Sequence, residues 1–282
     1  MKKVGVVGCG TMGGGIAQVC AQSGYQVTAS EINDELLNKG LKSIASSLTR
    51  SVERGKLSQA DKDATSGRIK GTTNIKDFHD CDLVIEATIE NLEIKKKVFA
   101  ELDSICPKNA ILASNTSVLP VAEMAIVTSR PDKVLGLHFF NPAVVMQLVE
   151  IVRAITTSNE TIETSKELVK SVGKTPVLVP DTPGFIVNRL VAPFMLNAIR
   201  LLEIGVATKE DIDAAVNLGL NHPMGPLTLA DLIGNDVVLS MSDSIYENLQ
   251  DHQYIVPTLL RRMVAAGWLG RKTGKGFYDY KK

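Results

Sequence analysis

The sequence predicts an α/β protein: a mostly parallel, doubly wound sheet followed by an all-α C-terminal domain. Three observations carry this. Short apolar runs alternate with helix-length segments through the first 180 residues or so. The stretch Pro180-Asp181-Thr182-Pro183-Gly184 then stops both strand and helix. Beyond it strand signals vanish and helical periodicity continues.

The strand candidates are residues 4–7, 26–29, 83–87, 111–113, 134–138, 149–152 and 177–179. Helical patterns lie between them near 13–23, 34–55, 93–105 and 161–172. After the proline-rich stretch, 185–204 reads as a long apolar helix. The segment 208–218 opens on Thr208 with Asp211 three residues on, a capping pattern, and 227–248 and 257–266 extend the helical reading. The domain boundary falls near Pro183, giving 1–183 and 184–282. No internal repeat or low-complexity segment is evident.

A chain of 282 residues is long for one core and suits two domains. Its 31 basic and 31 acidic side chains balance, so overall charge argues for neither nucleic acid nor a membrane surface. No apolar run approaches the roughly 20 residues of a membrane span. Cys9, Cys20, Cys81 and Cys106 form no CxxC pair and no zinc spacing, which points to free thiols in a reducing compartment. The N-terminus leads straight into a strand pattern without a signal-peptide core, so the expectation is a complete cytoplasmic chain.

The strongest local signal is Gly8-Cys9-Gly10-Thr11-Met12-Gly13, between an apolar strand and a helix. Glycines there allow a tight turn and let backbone approach a pyrophosphate at the positive helix end. Glu31 follows the second strand at about the expected interval of ~20 residues. A carboxylate there accepts hydrogen bonds from ribose hydroxyls and repels a 2′-phosphate, favouring NAD over NADP. The plain alternative is a glycine-rich turn and a surface glutamate.

His138 closes an apolar strand, where doubly wound folds meet their ligands. An imidazole there is either structural or a general base. Glu150, twelve residues on within an apolar run, is a natural partner for it; the alternative is the solvated face of an edge strand. Ser114-Asn115-Thr116-Ser117 follows another strand and reads as a ligand loop or a helix cap. Asn188 sits in an apolar helix start and either satisfies backbone or faces a substrate. Between 42 and 56, Lys42, Arg50 and Arg54 fall near one helical face with Lys56 just beyond, either a solvated face or a dock for nucleotide phosphates.

Together these segments resemble the L-3-hydroxyacyl-CoA dehydrogenase family, most closely its short bacterial, clostridial-type members. Besides the glycine-rich turn and residues 114–117, the match rests on His138-Phe139-Phe140-Asn141-Pro142, on 183–189, on Asn221-His222-Pro223-Met224-Gly225-Pro226 and on 267–278. It runs along essentially the whole chain. The resemblance implies a Rossmann-type NAD-binding domain, a helical domain serving dimerisation and substrate, and an active site in the cleft between them. It implies reversible hydride transfer between a short-chain (3S)-3-hydroxyacyl-CoA and NAD. It makes His138 the base with Glu150 as its orienting partner, and Ser117 and Asn188 hydrogen-bond donors to the substrate oxygen. Gly8, Gly10, Thr11, Met12, Gly13 and Glu31 would hold the cofactor, while Glu90, Lys95, Asn115, Asn141 and Lys272 would line the cofactor or thioester region. Ser43, Arg50 and Arg54 would meet the coenzyme A tail. A homodimer follows from the family. Departures are modest: Gly5 interrupts the first strand, and Glu31 replaces the commoner Asp. Other readings are a dehydrogenase of free hydroxyacids, a non-catalytic NAD-binding protein, and a module of a larger complex.

Overall fold

The computed structural model describes residues 1–280, which form two compact units, Met1–Thr182 and Pro183 onward. In the first unit the elements run β1 (Lys3–Val7), α1 (Thr11–Gln22), β2 (Gln26–Ser30), α2 (Asp34–Glu53), α3 (Gln59–Gly67), β3 (Ile69–Thr72), β4 (Leu83–Glu86), α4 (Leu92–Ile105), β5 (Ile111–Ser114), α5 (Val121–Ala125), β6 (Val134–Phe139), β7 (Leu148–Arg153), α6 (Asn159–Ser171) and β8 (Thr175–Pro180).

The eight strands make one sheet in the order β3-β2-β1-β4-β5-β6-β7-β8. Every pairing is parallel except β6 with β7, so the last two strands run against the others. The central strands carry continuous apolar runs because helices cover both faces. Val4, Val6, Leu83, Ile85, Leu112, Ala113, Leu135 and Leu137 are all fully buried. Gly5 leaves room for a ring: a β-carbon built there would lie 2.4 Å from Phe78 Cδ1. The departure noted in the first strand is therefore filled by an aromatic side chain. Side-chain caps start several helices at the positions their sequence suggests. Asn33, Ser58, Asn91 and Ser158 each accept the N–H three residues on.

Three elements escape the sequence pattern, one of them α5, whose five residues are too few to show a helical period. The edge strand β3 offers only Ile-Lys-Gly-Thr, and α3 is polar with Thr65 as its one buried residue. Neither has the apolar periodicity that identifies a buried element.

The second unit is helical: α7 (Val187–Glu203), α8 (Lys209–Gly219), α9 (Pro226–Ile233), α10 (Asn235–Leu249) and α11 (Thr258–Ala265). Thr208 caps α8 by accepting the Asp211 N–H, the role its spacing suggests. Two boundaries differ from expectation. Helix α7 starts at Val187 rather than 185, because Gly184 and Phe185 both take left-handed backbone. The long helix expected over 227–248 is two helices, broken at Gly234, whose φ of 110° no helix accommodates.

Two buried carboxylates hold this unit together. Asp231 accepts the Phe277 and Tyr278 N–H groups at 2.9 Å each and the Tyr280 hydroxyl at 3.1 Å. Asp213 accepts the Leu227 and Thr228 N–H groups at 2.8 and 2.9 Å and the Tyr278 hydroxyl at 3.0 Å. Burial, reinforced by the Asp213 charge, pushes the Tyr278 hydroxyl well above its usual range. The segment 267–278, singled out by sequence, thus supplies partners for both aspartates, and the residues just after 221–226 supply the rest of those for Asp213.

Candidate active site

The turn between β1 and α1 sits at the carboxyl end of the central strand. Gly8 has φ 92°, and a β-carbon on Gly13 would lie 1.8 Å from the Gly8 carbonyl oxygen. Both positions therefore exclude side chains. Gly10 is different: nothing lies within 4 Å of its β-carbon position. The N-terminus of α1 has no side-chain cap and no acidic residue in its first turn. Thr11, Met12 and Gly13 thus present backbone N–H groups, with the positive end of the helix dipole, to open space. That is the donor set a pyrophosphate needs, so the residues fit a dinucleotide.

Glu31, one residue past β2, accepts the Cys9 N–H at 2.7 Å through Oε1. It braces the turn and stays half-exposed beside it. Burial, and then the Glu31 charge, pushes the Cys9 thiol up to about 11. This thiol stays protonated at neutral pH and is no nucleophile.

At the ends of β4 and β5 lies a polar network that joins Glu90, Lys95 and the 114–117 segment, all singled out by sequence, to Glu86, which was not. Glu86 is fully buried. It accepts the Thr88 N–H and hydroxyl at 2.6 Å each, the Ser114 hydroxyl at 2.7 Å, and Lys95 Nζ at 2.8 and 2.9 Å. Lys95, 1% exposed, also lies 3.4 Å from Glu90 Oε2. Glu90 Oε1 in turn accepts the Thr116 hydroxyl at 2.5 Å and the Ser117 N–H at 2.8 Å. Lys95, expected along the cofactor or thioester region, sits within this network. Its ammonium is enclosed between two carboxylates, and its part is to hold Glu90 against the 116–118 loop. Asn115 acts in the same way, accepting the Phe139 N–H at 2.8 Å. The signal for Glu86 was an acidic residue ending an apolar strand.

His138 and Glu150 face each other directly across the antiparallel pair β6–β7. Nδ1 lies 2.7 Å from Glu150 Oε2, and the residues are 4% and 0% exposed. Glu150 is therefore on an interior strand, not a solvated edge. An ionised carboxylate only accepts, so Nδ1 carries the proton and Nε2 is the basic nitrogen. The Phe140 ring packs 4.4 Å from the imidazole, centroid to centroid.

A groove of about 800 Å³ opens beside the glycine-rich turn. It brings together Gly10 and Thr11, Ser43, Arg50 and Arg54, and Asn141 with Ala143 and Val145 of the β6–β7 loop. Arg50, Arg54 and Lys56 line it and no acidic residue does. Two details differ from the sequence reading. Lys42 is exposed and is not part of the lining, whereas Lys56 is. Arg54 is the residue that ends α2, not a residue within it.

Two site candidates belong to the second unit. Asn188 is half-buried in the first turn of α7. Lys272 Nζ is paired with Asp236 at 2.6 Å. That ion pair accounts for its charge within the unit, so nothing in the lysine's own surroundings marks it as a cofactor ligand.

A doubly wound sheet, a pyrophosphate-ready turn and a histidine–carboxylate pair at a strand end define a dinucleotide-binding dehydrogenase. Comparison with known proteins makes the class specific. Residues 3–182 match the family model of the 3-hydroxyacyl-CoA dehydrogenase NAD binding domain, and residues 184–280 match that of its C-terminal domain. The chain belongs to the 3-hydroxyacyl-CoA dehydrogenase family, and its cofactor is NAD. It is similar to a 3-hydroxybutyryl-CoA dehydrogenase of Clostridioides difficile, 47% identical over 280 residues, covering 99% of this chain and 100% of the relative. A probable 3-hydroxybutyryl-CoA dehydrogenase of Deinococcus radiodurans is 48% identical over 278 residues, covering 99% and 100%. The crystal structure of (S)-3-hydroxybutyryl-CoA dehydrogenase from Ralstonia eutropha superposes with a TM-score of 0.96 at 46% identity, covering 100% of both chains.

Proposed function

We propose that this enzyme interconverts (3S)-3-hydroxybutyryl-CoA and acetoacetyl-CoA with NAD. The observation that carries the proposal is the buried His138–Glu150 pair at the carboxyl end of the sheet, 2.7 Å apart. Nε2 of His138 takes the hydroxyl proton as the alcohol is oxidised and returns it in the reverse direction. Glu150 keeps the ring in the required tautomer and orientation. Bound NAD supplies the hydride acceptor; the protein supplies position and electrostatics. Ser117 and Asn188 hydrogen-bond the substrate oxygen. Glu90 aids Ser117 by clamping its backbone N–H at 2.8 Å. Gly10, Thr11, Met12 and Gly13 hold the pyrophosphate, and Glu31 takes the adenosine ribose.

Arg50 and Arg54, with Ser43 beside them in the groove, bind the phosphates of the coenzyme A tail. The basic groove favours a nucleotide-bearing thioester over a free hydroxyacid, which needs no remote phosphate site. Names of the relatives support the four-carbon acyl chain. The protein works in the cytoplasm as a homodimer formed through the helical domain. Leu190, Ile204, Leu218 and Leu220, each more than half exposed in the second unit, supply apolar surface for that contact. No helix among the described residues is long and apolar enough to cross a membrane.

The test is NADH oxidation with acetoacetyl-CoA, with free acetoacetate as control. Turnover of the thioester alone is the expected result. Equal turnover of the free acid, or none of either, overturns the proposal.

A further inference from the structure

Helix α1 runs about 18 Å along the groove at 1.5 Å per residue. The face it turns to the groove is bare over its first turns, because Gly14 and Gly15 carry no side chain. A β-carbon at Gly15 would stand 3.1 Å from that of Ala143, so the helix and the β6–β7 loop approach closely there. One turn further on the same face is Gln18. It lines the groove, yet is only 2% exposed. Its amide makes no hydrogen bond among the described residues.

Neither polar atom of that amide is sealed from solvent, so the small surface Gln18 keeps includes its amide, at the groove it lines. Methionine at this position would keep helix propensity and fill the same space. The groove gives the amide a use. Arg50 and Arg54 form its basic part, and the β6–β7 loop descends into it from the strand that bears His138. In a coenzyme A thioester, the arm between the phosphates and the sulfur carries two secondary amides. Each offers one N–H donor and one carbonyl acceptor, and a primary carboxamide matches both.

We infer that Gln18 is a specificity-determining residue, whose side-chain amide hydrogen-bonds a secondary amide of the pantetheine arm. This rests on the reading of the substrate as a coenzyme A thioester. It places recognition of the arm on α1, between phosphate binding and the reacting carbonyl.

The experiment compares the parent enzyme with Gln18→Met and Gln18→Glu on three substrates. Acetoacetyl-CoA has amides and phosphates, acetoacetyl-pantetheine has amides alone, and the S-propyl thioester of acetoacetate has neither. Gln18→Met should raise KM about three- to tenfold for the first two, the range for one neutral hydrogen bond. Its kcat/KM for the propyl thioester and its Kd for NADH, read by fluorescence, should match the parent. Gln18→Glu keeps the length and loses the donor, so it should shift KM in the same direction. It gives the answer if the methionine variant fails to fold. An equal loss on the propyl thioester, a weakened NADH Kd, or unchanged KM values would each overturn the inference. A parent enzyme that reduces none of the three thioesters overturns the proposed function itself, a result visible before any variant is made.

Discussion

Asn115 Oδ1 accepts the backbone N–H of Phe139 at 2.8 Å, tying the loop after β5 to the strand that carries His138, one residue beyond the imidazole. Removing the acceptor leaves a buried N–H unpaired. Asn115→Ala should therefore lose about 1–3 kcal/mol of stability, measured as a lower urea midpoint. It should also lower kcat, because the end of β6 is no longer held. Asn115→Asp keeps an acceptor oxygen and should recover part of both losses. An alanine variant with parent-like midpoint and kcat would show the tie to be dispensable.

His138→Gln should reduce kcat by roughly 10²–10⁴-fold, the range for a positioned general base, with NADH affinity retained. Glu150→Gln should give a smaller fall, because an amide can donate to Nδ1 and favour the wrong tautomer. Steady-state kinetics alongside NADH titration separates the two effects. Parent-like turnover in His138→Gln would remove the histidine from the mechanism.

Glu31 has two parts to play, and a substitution touches both. Glu31→Ser removes the charge that repels a 2′-phosphate, so the NADP/NAD ratio of kcat/KM should rise. It also removes the acceptor of the Cys9 N–H, a 2.7 Å hydrogen bond that braces the turn. Affinity for NAD should accordingly fall by more than affinity for NADP is gained. A parent enzyme that already prefers NADPH would contradict this assignment.

Arg130, buried, pairs with the half-buried Asp103, with Nε 2.6 Å from Oδ1. Burial pushes the Asp103 carboxyl up, but the Ser129 N–H and the Arg130 guanidinium outweigh this and hold it below its ordinary 3.8. A carboxylate with a depressed folded-state pKa stabilises fully above its unfolded value and loses that stability as pH falls through the folded one. Asp103→Asn leaves Arg130 without its counter-ion, though its bonds to the Pro107, Asp103 and Cys106 carbonyls remain, and should cost about 1–3 kcal/mol near neutrality. The gap from the parent should narrow once the pH falls below about 4. Urea midpoints across that range provide the check; a gap independent of pH would contradict the ionic account.

The alternation of strand and helix was readable because each central strand is apolar on both faces and each helix on one. Strand β3 was not, since an edge strand of Ile-Lys-Gly-Thr buries too little to show a pattern. His138 and Glu150 stood out singly, as polar residues in apolar runs. Their direct opposition follows from β7 reversing direction, which no local periodicity announces. Glu86 was hidden for a related reason: its partners Thr88, Lys95 and Ser114 come from three separate segments. Lys272 stands in a motif whose neighbouring residues serve the packing of the helical unit. Its motif is real, but the glycines and aromatics around it fold onto Asp231, and the lysine itself pairs with Asp236.

The reversal at β7 has a consequence for how this enzyme can change. The His138–Glu150 pair occupies the root of a hairpin, locked by ladder hydrogen bonds and by strands on either side. The tip of the same hairpin, residues 141–147, forms a wall of the groove. The buried pair and the groove wall thus share one short, contiguous stretch of gene, yet are mechanically separate within it. Replacements at Ala143, Val144 or Val145 can reshape the wall while the imidazole and its carboxylate keep their register. Single substitutions at the tip can thus change what the groove accepts without disturbing the pair at the root.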